Sequence, residues 1–293
     1  MKPSPFAYSA PESLDEALAL LADVGGDGKV LAGGQSLLPI LNMRLAAPRH
    51  VVDINRVAGL SYVTVEGNAV RVGALARHAE VEHDPAAYDA LPLLRQALRL
   101  VAHPVIRNRG TTVGSLAHAD PSGEMTAVLA LTGGTVTAAR VGSTREVAAA
   151  DFFLGPLESC LEAGELAVSA RFPMFPARSG STFVEVARRH GDYAVCGVAA
   201  VVTLDEAGAV ASARAAYISV APTPLVLDLT EAASGRAGGA GGDIRDIDWT
   251  AAGDLAAAQV DPEADIHATV AYRRHLTRVL TGRALAEAAG RAA

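Results

Sequence analysis

Two runs of small and hydroxyl-bearing residues have the composition to hold a phosphate group. The first is Ala32-Gly33-Gly34-Gln35-Ser36. The second is Gly110-Thr111-Thr112-Val113-Gly114-Ser115, followed by Leu116-Ala117-His118-Ala119-Asp120-Pro121. In both, short side chains let an anion reach backbone N–H groups, and hydroxyls stand beside them. Glu124 follows one turn beyond the second run, where a carboxylate can accept from a ribose hydroxyl. Two such runs suit one extended phosphate-bearing ligand gripped from two sides. Neither is the Gly-x-Gly-x-x-Gly dinucleotide fingerprint, and no Gly-Lys-Ser/Thr occurs anywhere in the chain. A nicotinamide Rossmann site and a P-loop are therefore both disfavoured.

The rest of the chain offers little other chemistry. Cys160 and Cys196 are the only cysteines and form no CxxC pair, which argues against a zinc ribbon or an iron–sulfur cluster held by this chain alone. His78 and His83 are spaced badly for one helical face, and the other histidines are scattered. Cys196 reads as a core residue in an apolar strand. Arg273, Arg274 and Arg278 read as the exposed face of the last helix.

The elements that must position these residues can be traced through 293 residues, of which 50% are hydrophobic and 19% charged. The formal charge of −7 argues against a nucleic-acid partner. The longest apolar stretches, such as Val195–Leu204, are too short and interrupted to span a bilayer. Two lone thiols and no secretory signal lead to the expectation of a cytoplasmic protein.

Ser13-Leu14-Asp15-Glu16 forms a capping box for a helix carrying Leu14, Leu18 and Leu21 on one face. Lys29–Ala32 reads as a strand entering the first run, Leu37–Leu45 as a helix, and Val51–Ile54 as a second strand, together a small βαβ unit. Gly67-Asn68 is the turn of a hairpin, and Pro92–Val101 is an amphipathic helix stopped by His103-Pro104. Met125–Leu131 reads as helix, Thr135–Ala138 and Arg145–Ala148 as paired strands, and Gly164–Phe172 as another strand. Beyond the Pro173–Gly180 stretch come three long strands, Thr182–Ala187, Val195–Leu204 and Val210–Val220. Helices over Leu225–Ala233, Thr250–Val260 and Ile266–Thr281 are expected to cover one face of that sheet. Ser234–Asp243 is Gly-rich and reads as a surface connection. The predicted class is α+β in three parts, 1–55, 56–175 and 176–293.

The two runs resemble a known family. Ala32–Ser36, Arg107-Asn108-Arg109-Gly110-Thr111 and Ser115–Pro121 look like the FAD-binding medium subunit of the molybdenum hydroxylases, nearest in motif to the nicotine and caffeine dehydrogenase branch. The resemblance extends to Val52-Asp53-Ile54-Asn55, Gly191-Asp192-Tyr193-Ala194 and Tyr272-Arg273-Arg274-His275-Leu276, and so covers essentially the whole chain. It implies a PCMH-type FAD-binding domain, a small βαβ subdomain plus a larger mixed α/β subdomain, followed by an antiparallel three-stranded sheet with helices. Ala32–Ser36 and Gly110–Ser115 would wrap the FAD pyrophosphate, with Val30 and Leu31 leading in. Asp120 and Glu124 would be acidic residues at the cofactor, Tyr193 a residue gating the flavin ring, and Leu166 a ring-packing residue. A partner with a molybdopterin cofactor and another with two [2Fe–2S] clusters are implied, in a dimer of heterotrimers. The chain departs from the family at Val113, where a glycine is usual. It departs again at Gln35, where the carbon monoxide enzymes tend to have His; this favours N-heterocycles, ketones or aldehydes as substrates. The competing readings are a self-contained flavin oxidoreductase and a non-redox nucleotide-binding scaffold.

Overall fold

The computed structural model of the protein describes residues 1–234 and 247–292. The N-terminal part contains β1 (Ala7–Ser9), α1 (Leu14–Val24), β2 (Gly28–Leu31), α2 (Leu37–Asn42) and β3 (His50–Asp53). The capping box forms as read: the Ser13 hydroxyl accepts from the Glu16 N–H, and the Glu16 carboxylate accepts from the Ser13 N–H. The three strands lie in the order β1-β3-β2 and are parallel. Sequence reading finds β2 and β3 but not β1, whose three residues are too few to show an alternation.

The middle part runs through β4 (Val63–Glu66), β5 (Ala69–Gly73), α3 (His78–His83), α4 (Pro85–Ala90), α5 (Pro92–Leu98), α6 (Pro104–Arg107), α7 (Thr112–His118) and α8 (Glu124–Thr132). It continues with β6 (Thr135–Arg140), β7 (Ser143–Ala148), α9 (Ala149–Phe152), β8 (Phe153–Gly155), β9 (Glu158–Ser159) and β10 (Leu166–Pro173). The main sheet here is antiparallel, in the order β4-β5-β10-β6-β7. Pro104 does not end a helix but opens one, since proline at the first helical position lacks only an N–H that would be unpaired anyway.

The C-terminal part holds β11 (Ser179–Ala187), β12 (Ala194–Leu204), β13 (Val210–Ile218), β14 (Leu225–Asp228), α10 (Thr230–Ser234), α11 (Thr250–Gln259) and α12 (Val270–Ala292). Its sheet has four antiparallel strands, not three, because Leu225–Asp228 pairs with β13 from Arg214 to Tyr217 where a helix is expected. Four residues are too few to distinguish a helical from a strand period. The Gly-rich expectation over 235–243 lies outside the described residues.

The sheet is also covered on both faces rather than one. Cys196, Val198, Ala200 and Val202 point into a core with Leu276, Leu280 and Ala284 of α12. Ala199 and Val201, on the other face of β12, join Phe183 and the larger core that includes Leu94 of α5 and Met125, Val128 and Leu129 of α8. Alternation therefore splits one strand between two cores. Among the described residues no helix is long and apolar enough to cross a membrane.

Candidate cofactor site

The chain leaves β2 at Leu31 and makes a sharp turn through Gly33 and Gly34 before α2 begins. Val30 and Leu31 are half-buried strand residues that lead into it. Gly34 has a φ of 75°, and Gly33 lies against the second run: a Cβ at Gly33 would stand 2.5 Å from the Arg109 carbonyl oxygen and 2.7 Å from the Gly110 Cα. Only a residue without a side chain permits that approach. The two runs, separated in sequence, are thus packed backbone to backbone.

A set of polar contacts fixes this juxtaposition. The Asn55 side-chain amide donates to the Ala32 carbonyl (2.8 Å) and receives a hydrogen bond on Oδ1 from Arg77 Nη2 (2.6 Å). Arg77 Nη1 donates to the Arg109 carbonyl (2.7 Å), so one guanidinium links Asn55, and through it the first run, to the residue just before the second. The N–H of His78 donates to the Gly110 carbonyl (2.9 Å), and His78 Nδ1 lies 3.2 Å from Thr112 Oγ1. Burial, then the charge of Arg107, pushes the His78 imidazole down to about 4, so the ring is neutral behind the second run. Arg77 is missed by sequence reading, although it directly follows the apolar Ala74-Leu75-Ala76; Asn55 is noticed only as part of a motif.

The second run opens a helix. Gly110 and Thr111 precede α7, and Thr112, Val113, Gly114 and Ser115 form its first turn. The cause is local: Thr111 is extended, and its hydroxyl accepts from the Gly114 N–H at 3.2 Å, which starts the helix. Val113 is 1% exposed, its side chain in the core, so helical backbone accommodates it where a loop would favour glycine. In the first run, the N–H groups of Gly34, Gln35, Ser36 and Leu37 donate to no protein acceptor among the described residues. The Gln35 side-chain amide donates to the Gly33 carbonyl (3.0 Å) and thereby stiffens the turn.

Asp120, Glu124 and Tyr193 come together at the far end of α7. Asp120 Oδ1 accepts from the Ser122 N–H (2.8 Å), closing the turn that leads to α8. Glu124 is the first residue of α8, and burial, reinforced by the charges of Glu185 and Asp120, pushes its carboxyl up to about 8. It is therefore mostly protonated at neutral pH and able to donate. Glu185 of β11 faces the same space. Burial pushes its carboxyl up to about 7, and its Oε2 is enclosed without a hydrogen-bond partner among the described residues. Sequence reading misses Glu185; the available signal was a charge on the inward side of a strand, two residues after Phe183.

Tyr193 is 70% exposed at the rim, in the field of Asp120 and Glu124. Its backbone is tied to Asp192, whose carboxylate also pairs with Arg188 (3.1 Å) and Arg189 (3.3 Å). Leu166 is 3% exposed in β10, opposite Ala139, and belongs to the larger core. Arg273 corrects another expectation: it is 7% exposed, not on the solvent face of α12, whereas Arg274 and Arg278 are exposed and pair with Asp261 and Asp254.

The site is thus polar at both ends and unlike at each. The paired runs offer unpaired N–H groups beside Arg77 and Arg109, which suits a diphosphate. The other end offers an aromatic ring and two carboxyls that burial pushes up, Glu124 to about 8 and Glu185 to about 7. An α+β protein with this arrangement belongs to the class that binds an extended, diphosphate-bearing cofactor.

A family model described as the FAD binding domain in molybdopterin dehydrogenase matches residues 4–175. One described as the CO dehydrogenase flavoprotein C-terminal domain matches residues 181–288. Over 300 aligned residues the chain is 39% identical to the 6-hydroxypseudooxynicotine dehydrogenase complex subunit alpha of Paenarthrobacter nicotinovorans, covering 100% of this chain and 97% of that one. It is 40% identical to caffeine dehydrogenase subunit beta of a Pseudomonas species over 77% of this chain and 76% of that one. The solved carbon monoxide dehydrogenase of Hydrogenophaga pseudoflava lacking the Mo-pyranopterin moiety superposes with a TM-score of 0.91 at 37% identity, covering 100% of both chains. The chain belongs to the FAD-binding medium subunits of the xanthine dehydrogenase and carbon monoxide dehydrogenase family, and is an oxidoreductase subunit. The residues present fit FAD: the N–H groups of Gly34–Leu37 donate to no protein acceptor among the described residues and could serve a diphosphate.

Proposed function

We propose that this chain holds the FAD diphosphate between Ala32–Ser36 and Gly110–Ser115, with Val30 and Leu31 leading into the first turn. The flavin end lies toward Asp120 and Glu124, with Leu166 in the core behind it and Tyr193 at the mouth controlling access of an electron acceptor. The observation that carries this reading is the contact of Gly33 with Arg109–Thr111, which brings two phosphate-suited segments to one place. Bound FAD supplies the redox chemistry; the chain supplies binding, orientation and electrostatic tuning.

By this reading the chain receives electrons from two [2Fe–2S] clusters in a small partner subunit and passes them to an external acceptor. A large molybdopterin-bearing subunit carries out the hydroxylation, and the three subunits assemble in the cytoplasm as a dimer of heterotrimers. The scarcity of cysteine supports this division, since two cysteines cannot ligate such clusters. Gln35 supports an N-heterocycle, ketone or aldehyde as the substrate of the complex. The divisions 1–55, 56–175 and 176–293 serve as an N-terminal FAD-binding subdomain, a second FAD-binding subdomain and a C-terminal domain.

The purified chain, alone, is expected to take up FAD with the visible spectrum of a flavoprotein and to hydroxylate no N-heterocycle or aldehyde. Hydroxylation by the isolated chain overturns the reading. Gly33→Ala is expected to weaken FAD binding about 5- to 150-fold, because the added methyl forces the two runs apart at a typical overpacking cost of about 1–3 kcal/mol. Unaltered affinity in a folded variant places the diphosphate elsewhere.

A further inference from the structure

Three arginines follow closely on α12, and one behaves unlike the others. Arg274 and Arg278 make exposed ion pairs. The Arg273 guanidinium is buried, and its donors reach three separate segments: Nη1 donates to the Val195 carbonyl (2.6 Å) and the Ser219 carbonyl (2.8 Å), and Nη2 to Asp265 (2.6 Å). Its Nε is enclosed with no hydrogen-bond partner among the described residues. A buried cation is a costly way to fasten a helix whose apolar side already packs through Leu276, Leu280 and Ala284. What it holds explains it better.

Val195 lies two residues beyond Tyr193. Ser219 has a φ of 65°, a left-handed conformation rare for a residue with a side chain and sustained only by its surroundings. Placed so, Ser219 donates its N–H to the Pro121 carbonyl (2.8 Å) and its hydroxyl to Ser122 Oγ (2.9 Å). The Ser122 N–H in turn donates to Asp120, and Glu124 follows two residues later. One guanidinium therefore reaches both walls of the acidic end: the Asp120–Glu124 turn through Ser219, and the Tyr193 strand through Val195.

We infer that Arg273 is a positioning residue for the flavin end of the cofactor site, setting the separation between the Asp120–Glu124 turn and the Tyr193 strand through its hydrogen bonds to Ser219 and Val195. It moves no proton or electron itself. The inference rests on the proposed placement of the flavin between those walls. It also assigns a role to the C-terminal domain: α12 shapes a cofactor site whose phosphate end lies in the N-terminal half.

The test uses the full-length chain loaded with FAD, compared as wild type, Arg273→Lys, Ser122→Ala and Ser219→Ala. Lysine keeps the charge but not the planar fork that reaches two carbonyls. The two serine variants leave the guanidinium in place, so they decide the matter if Arg273→Lys does not fold. FAD affinity, iodide quenching of flavin fluorescence and the flavin midpoint potential are measured well below each variant's Tm. The expected result is a roughly 3- to 30-fold loss of FAD affinity, with greater quenching and a shifted potential, in Arg273→Lys and in the same direction in Ser122→Ala. Variants with a lower Tm but unchanged affinity, quenching and potential overturn this inference alone, because Arg273 then only fastens α12. A wild-type chain that takes up no FAD overturns the site reading as well.

Discussion

At the scale of single residues, the Glu124 carboxyl at the acidic end of the site makes a measurable claim. Glu124 titrates near 8 instead of the ordinary 4.5 because burial disfavours its charged form, with Glu185 and Asp120 adding like charge. The sign follows from where the proton is held. Between about pH 4.5 and 8 the folded chain keeps a proton that the unfolded chain releases, so ionisation favours unfolding and stability falls as pH rises through that window. Below the window both states are protonated, and above it both are ionised, so the loss is flat at either side. Each pKa unit of difference corresponds to about 1.4 kcal/mol. Glu124→Gln removes the titration while keeping a polar side chain. In thermal melts of the FAD-free protein, the Tm of Glu124→Gln relative to wild type is expected to climb from pH 5 to pH 8 and then level off. A pH-independent difference would sink the claim that Glu124 is held neutral.

At the scale of elements, legibility followed the strength of the local signal. The Ser13 capping box, the Gly67-Asn68 hairpin and the β11–β13 meander each carry a period or a turn residue that local rules read directly. The β1 and β14 strands are too short for that; β1 is placed by β3, far along the chain, and β14 by the strand before it, β13. The second run was legible as a phosphate-suited composition but not as a helix start, since Gly and two Thr in a row have weak helical preference. Long-range polar ties were least legible of all. Arg77 is an isolated charge in sequence, and its partners Asn55 and the Arg109 carbonyl appear only after folding. The same holds for Arg107, whose Nε donates to Glu82 at 2.7 Å with both side chains almost fully buried. Arg107 Nη1 also donates to the Val101 (3.0 Å) and Ala102 (3.3 Å) carbonyls, supporting the turn against which Gly191 is pressed. Glu82→Gln leaves that guanidinium buried without its counter-charge, at an expected cost of about 3–5 kcal/mol in urea unfolding. Because the turn braces the Gly191 hairpin, trypsin is expected to cut faster at Arg188 and Arg189 in the variant. Equal stability and equal cleavage rates would show that the pair is dispensable.

At the scale of the whole molecule, the two halves share more than a chain connection. Nearly every residue of α8 is buried, including polar Thr126 and Thr132, because the helix is enclosed by β10 and α5 on one side and by β12 and β13 on the other. A helix apolar all round is a core helix, and it stays folded only while both neighbours are present. The larger core accordingly runs from Ala17 of α1 to Ile218 of β13 without a break at residue 175. Ser219 adds a polar link by holding Pro121 and Ser122, and Arg214 of β13 donates to the Leu131 carbonyl at the end of α8. The division between the two family-matched regions is therefore a boundary in sequence but not in packing. A fragment ending at residue 175 keeps both phosphate-suited runs, yet it loses the sheet that covers α8 and the residues that shape the acidic end. It is expected to aggregate or to unfold without a cooperative transition, and to take up no FAD. Light scattering and a denaturant titration of the fragment check the first outcome, and a flavin titration checks the second. A monomeric fragment that unfolds cooperatively and binds FAD as the full chain does would reverse the conclusion, making the C-terminal domain an accessory to a complete cofactor site rather than one of its walls.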